Sequence, residues 1–240
     1  MIRFLALLFL LSFVMCKTES KDVSNLSECI TENYYPNGKL KSTGVTFGEN
    51  QPIGEWSYYD STGLLKRKAE YLKIDGKAYL NQDWYFNKVG DTLRSKGSHF
   101  DIVFEKDTIF LNEPIKAKIN LNAPLFKNKN SEILIVIPKD YSINFNKDFS
   151  NLKEVELDTT FNLNLEKEIR AAIGITTDFG KYAIFGRYFN SIGNKKFRGI
   201  IVEYFYQDSI TSDSVRLNYF ENKKYFEKDI YVVDSLDTRE

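Results

Sequence analysis

Very little in this 240-residue chain is equipped for covalent or proton-transfer chemistry. It has one histidine, His99, and two cysteines, Cys16 and Cys29. A single imidazole excludes His-rich zinc sites and the paired-histidine helix of zinc proteases. Ser98 adjoins His99, but successive strand residues point to opposite faces, so the two do not form a nucleophile–base pair, and His99 is expected to be a surface or packing residue. Phosphate loops, dinucleotide fingerprints and EF-hand loops are missing; Gly180 and Gly186 lie in sequence that reads as strand, without the Lys-Ser/Thr a phosphate loop needs. The 33 basic residues balance 33 acidic ones, so no net field draws the chain to nucleic acid or to an anionic membrane. Two carboxylates across a cleft hydrolyse glycosides without histidine, yet pairs such as Glu166 and Glu168 share one strand face and read as a solvated edge. The expectation is a non-enzymatic protein with no cofactor, no metal site and no nucleic-acid partner.

Proline is scarce, with five residues, and 42% of the chain is hydrophobic, which argues against disorder. Long apolar runs are also scarce. The one present, Phe4 to Met15, follows Arg3 and is too short to cross a bilayer core of about 30 Å as a helix, so it reads as an export signal over residues 1–15. Cys16 ends it, and Lys17-Thr18-Glu19-Ser20-Lys21-Asp22 is abruptly polar. This arrangement resembles a bacterial lipoprotein signal, which implies acylation of Cys16 and a lipid anchor in the cell envelope, at the outer membrane. The rival reading is a plain signal peptide whose Cys is incidental. Residues 16–32 read as a tether. Acylation of Cys16 would leave Cys29 without an intramolecular partner, either inert or available to another chain.

Aromatics, at 15%, are abundant, and three passes of one pattern explain part of the excess. Tyr34-Tyr35-Pro36-Asn37-Gly38, Tyr58-Tyr59-Asp60-Ser61-Thr62-Gly63 and Tyr85-Phe86-Asn87-Lys88-Val89-Gly90 each run an aromatic pair into a turn. Behind the turns, Leu40, Leu65 and Leu93 are followed four residues later by Gly44, Ala69 and Gly97. Aromatic pairs suit a pleated surface, glycine supplies the positive φ of a tight turn, and recurrence at this spacing points to stacked hairpins. With Gly54-Glu55-Trp56 ahead of Tyr58, the stretch resembles the MORN-variant repeats often labelled antitoxin-like. That resemblance implies an array of β-hairpins over residues 33–100, and Tyr58, Tyr59, Tyr85 and Phe86 are its candidate binding surface for a protein or a glycan.

After Phe100 the patterns lengthen. Ile115, Ala117, Ile119 and Leu121 alternate with polar residues, as do Ile169, Ala171, Ile173 and Ile175, and Ile133 to Ile137 is continuously apolar, as in a strand covered on both faces. Asp178-Phe179-Gly180-Lys181-Tyr182, feeding a strand to Phe189, resembles the tyrosine corner of immunoglobulin-like sandwiches, with Ile184 where antibody domains carry a cysteine and Gly199–Tyr206 as the neighbouring last strand. Residues 214–233 read as a further hairpin around a polar turn at Glu221–Lys224. The predicted fold is all-β, with hairpin repeats followed by an immunoglobulin-like β-sandwich over residues 101–240. The expected function is a lipid-anchored envelope protein that presents a binding or scaffolding surface. An envelope immunity protein that masks a toxin, and a carbohydrate-binding or carbohydrate-active module, are the alternatives.

Overall fold

The computed structural model describes residues 28–163, 179–210 and 215–234. The protein is all-β. Strands β1 (Cys29–Tyr34), β2 (Leu40–Phe47), β3 (Gln51–Tyr59), β4 (Leu65–Ile74) and β5 (Lys77–Tyr85) form one antiparallel sheet in sequence order. Each strand pairs with the next because the connections are short turns. β1 starts inside the stretch expected to be tether, so Cys29 belongs to an edge strand.

The three recurrent turns share one hydrogen-bond pattern. The amides of Tyr35, Asp60 and Asn87 donate to the carbonyls of Lys39, Leu64 and Asp91, and the carbonyls of the same three residues accept from Gly38, Gly63 and Gly90. Those glycines have φ of 80°, 92° and 95°, a region closed to most side chains. The Asp60 carboxylate also accepts from the amides of Thr62 and Leu64, and the Asn87 side chain accepts from those of Val89 and Asp91. Gly44 and Ala69 are small because Trp56 lies against them. A Cβ on Gly44 would sit 2.4 Å from the indole, and Ala69 is the cross-strand partner of Trp56.

The third unit departs from the expected hairpin. After its turn the chain makes only the bridges Phe86↔Thr92 and Asp83↔Ser98, because a second turn, closed by the Lys96 amide on Leu93, redirects it toward the next sheet. Gly97 therefore has its own reason to be glycine: its φ is 72° and the Asp83 carbonyl would lie 2.4 Å from any Cβ.

The remaining strands are β6 (His99–Phe104), β7 (Thr108–Phe110), β8 (Ile115–Ala123), β9 (Glu132–Pro138), β10 (Leu157–Phe161), β11 (Tyr182–Arg187), β12 (Gly193–Ile210) and β13 (Val215–Val233). They form a three-stranded sheet, β11-β8-β6, and a five-stranded sheet, β10-β9-β12-β13-β7, in which only β7 runs parallel to its neighbour. One apolar cluster lies between them. It takes Ile115, Ala117, Ile119, Leu121, Ala183 and Phe185 from one sheet and Ile133, Ile135, Ile137, Phe197, Ile201 and Phe226 from the other. The alternation predicted for β8 is present, and both faces of β9 are covered, since Leu134 and Val136 join a second cluster on the outer face.

Two expectations for this half are corrected. Tyr182 begins β11, which pairs with β8 and not with β12, so it does not enter a strand beside Gly199–Tyr206. The phase explains the rest: Ala183, Phe185 and Arg187 are buried, whereas Ile184 is 40% exposed, which puts Tyr182 and Ile184 on the outward face. Asp178 lies outside the described residues, as do Cys16, Glu166, Glu168 and the run Ile169–Ile175. The second correction concerns Glu221–Lys224, which is no turn; β13 runs unbroken through it, paired with β12 from Val215 to Val232. Its polarity has a different cause, because Lys224 is buried and donates to the carbonyls of Asn81 and Ser98.

That contact joins the two halves. The side-chain amide of Asn81 accepts from the Tyr225 amide at 2.7 Å and donates to the Tyr225 carbonyl at 2.9 Å, so it takes the place of a paired strand on the free edge of β13. Beside it, the Tyr79 hydroxyl donates to the Lys223 carbonyl, and Leu72, Ile74 and Tyr79 pack with Phe145, Phe149, Ile200, Val202 and Tyr225.

Candidate binding surfaces

The aromatic pairs chosen from sequence do not stand free. Tyr58 and Tyr85 flank the Arg67 guanidinium, whose centre is 5.1 and 5.6 Å from the two rings, and Arg67 is held by Asp83 at 3.2 Å. Burial and the Tyr71 hydroxyl raise the Tyr58 phenol above its ordinary range. Tyr59 gives its carbonyl to the Tyr35 hydroxyl, which locks one turn on the next, and Phe86 donates its amide to the Lys66 carbonyl. All four side chains are half-buried. Their main role is to build the first sheet, although Tyr85 also lines a cleft at the junction of the two halves. His99 is buried against Trp84, with ring centres 5.7 Å apart, and its Nδ1 has no hydrogen-bond partner. It is a packing residue.

A more open aromatic surface lies on the outer face of β12 and β13. Tyr206 faces Tyr219 across the strand pair, and Tyr204 faces Glu221. The three rings lie within 5.4 to 6.1 Å of one another. Tyr206 is 57% and Tyr219 46% exposed, and register puts Phe161 and Leu217, also exposed, on the same face. Carboxylates surround this patch. The Tyr204 hydroxyl donates to Glu132 at 3.0 Å, the Tyr219 hydroxyl donates to Glu221 at 3.1 Å, and Asp208 pairs with Leu217 on that face. Burial and these carboxylates push both phenols up to about 12, so they remain neutral donors near pH 7. One cation, Lys223, is bonded to Glu221 at 2.9 Å. On the opposite face Phe205 stacks on Phe220 and meets Phe126 edge-on, which stiffens the ribbon.

Sequence reading missed this patch although its trace is visible: Tyr204-Phe205-Tyr206 alternates two polar-tipped rings with one apolar ring. Among the described residues, no group of three His, Cys, Asp or Glu side chains is placed to hold a metal, and no helix is long and apolar enough to cross a membrane.

Comparison with known proteins finds nothing similar. No family model, curated protein or solved structure matches the chain.

Proposed function

We propose that this is a non-enzymatic, lipid-anchored envelope protein whose immunoglobulin-like sandwich presents the Tyr204–Tyr206–Tyr219 face to a basic segment of a partner protein. The observation that carries the reading is this cluster of two exposed tyrosines, Tyr206 and Tyr219, and the half-buried Tyr204, rimmed by Glu132, Asp208 and Glu221. Ring faces attract Lys and Arg electrostatically, and nearby carboxylates add charge and hydrogen-bond acceptors. Exposed aromatics with a polar tip are also enriched where proteins meet.

The immunoglobulin-like part of the reading draws support from strand order. β6, β8 and β11 correspond in position to the A, B and E strands of such sandwiches, and β9, β12 and β13 correspond to C, F and G. The tyrosine corner lends none. The repeat reading draws support from the three matching turns, and the anchor rests on Cys16 and the sequence around it.

A single vesicle experiment tests the reading. Mature protein isolated from membranes should float with lipid vesicles and carry a fluorescent oligo-arginine peptide with it. Cys16→Ser should abolish flotation, and Tyr219→Ala should leave flotation intact while weakening peptide capture about tenfold. Capture of a neutral oligosaccharide in place of the peptide would move the assignment to a glycan-binding module. Wild-type protein that neither floats nor binds would overturn it.

A further inference from the structure

A second surface lies at the junction of the two halves, where β13 turns the face opposite to the tyrosine patch. There a cleft of about 540 Å³ is bounded by Leu80, Asp83 and Tyr85 of the first sheet, by Lys96–Ser98 of the connecting segment, by Leu125 and Lys127, and by Asn222 and Lys224 of β13. Three lysines thus line one cleft with a single carboxylate, and that carboxylate is already engaged. Asp83 accepts from the Ser98 amide at 2.7 Å and from Arg67. Glu203, buried nearby on β12, is likewise spent on the amides of Leu125 and Phe126 and the Ser131 hydroxyl.

The cleft contains two buried hydrogen-bond donors that the protein does not use in full. The Lys224 ammonium has three protons and gives two, to the carbonyls of Asn81 at 2.8 Å and Ser98 at 3.1 Å; among the described residues no carboxylate lies within ion-pair distance. The Ser98 side-chain hydroxyl, in a residue only 5% exposed, has no hydrogen-bond partner. Leaving such groups unmatched in a protein interior is costly, so the pair is suited to an occupant that accepts their hydrogen bonds. Lys127 presents further positive charge while tying Gly97 to Pro124 through its carbonyl contacts. Tyr85, Leu80 and Leu125 supply apolar wall.

We propose that this cleft binds a small organic oxyanion, its carboxylate or phosphate head held by Lys224 and Ser98 and its body laid against Tyr85 and Leu125. The charge state of Lys224 agrees with an incomplete site. Burial lowers its ammonium to about 8, against the opposing pull of Glu203, Asp83 and Glu70, and with Lys127 adding to the lowering. An anion in the cleft supplies the missing counter-charge and raises that value toward the ordinary range of lysine.

Glucuronate, glucose 6-phosphate and neutral glucose are suitable probes, each titrated into the whole protein to about 10 mM. The expected result is saturable binding of one or both acids and none of glucose, together with an upward shift of the Lys224 titration followed by NMR of the labelled ε-carbon. Preference for one acid assigns the head group. Ser98→Ala removes a hydroxyl that makes no internal bond, so the fold is retained, and affinity should fall several-fold. Lys224→Met should fall further, and because its loss also strips two carbonyl contacts, its folded state is checked by circular dichroism. Equal binding of glucose, no binding of either acid, or unchanged affinity in a folded Ser98→Ala protein would overturn the assignment.

Discussion

Among the described residues of the first sheet, the buried apolar side chains are Phe47, Trp56 and Ala69, whereas the sandwich encloses a continuous cluster drawn from both of its sheets. The first sheet substitutes directional contacts for a core. Its turns are closed by Asp60 and Asn87, its rows are locked by Tyr35 on Tyr59, and its face carries Arg67 between two tyrosines. A single layer cannot remove much apolar surface from water, so its sequence needs polar groups with specific partners at fixed spacing. A two-layer sandwich instead needs volume and alternation, which many sequences satisfy. This difference explains why the repeat is easy to see and the sandwich motif is not.

The difference can be broken most severely in the sandwich. Phe197 is fully buried and meets the rings of Phe104, Phe185 and Phe226 at 5.6 to 5.8 Å. Phe197→Ala should cost about 3–5 kcal/mol in chemical denaturation, a large share of a domain's stability. A loss below about 1 kcal/mol would show that the cluster is looser than described. A smaller and more local effect is expected from Gly44→Val, which drives a side chain into the Trp56 ring. Overpacking of this kind costs about 1–3 kcal/mol, and limited proteolysis should give new cuts within residues 40–60 while the sandwich stays intact. Identical digestion of variant and wild type would mean that the indole moves aside freely.

The mildest change is a pH effect confined to one turn. The Thr62 hydroxyl, and then the Leu64 amide, hold the Asp60 carboxyl well below the usual carboxylate range. A depressed folded value stabilises the turn above the ordinary pKa of about 3.9, and that contribution is lost as pH falls below it. The protection factor of the Leu64 amide, its exchange rate relative to the intrinsic rate at each pH, should therefore fall on acidification toward about pH 2, ahead of those of the sandwich strands. Asp60→Asn should remove the pH dependence; an unchanged acid response in that variant would assign it to another group.

Much of the molecule was legible in sequence because its period reports its environment directly. The alternation of Ile115 to Leu121 set the inward face of β8, the two-sided run at Ile133–Ile137 required cover on both faces, and three Gly-terminated turns required positive φ at Gly38, Gly63 and Gly90. The sites were less legible. Tyr58, Tyr59, Tyr85 and Phe86 were identified as aromatics of the repeat, but a local pattern does not say that Arg67 will fill the space between two of them.

The sequence by itself determined the all-β character, the three glycine-closed turns and the inward faces of β8 and β9, since these follow from local dihedral preference and side-chain spacing. Only the tertiary structure decided that Tyr182 lies in the sheet opposite Gly199–Tyr206, that Glu221–Lys224 runs straight, and that Asn81 pairs with Tyr225 more than 140 residues away. The physical reason is that a polar stretch looks the same in sequence whether water or a distant carbonyl satisfies it. Lys224 reads as a surface lysine until the carbonyls of Asn81 and Ser98 are brought to it.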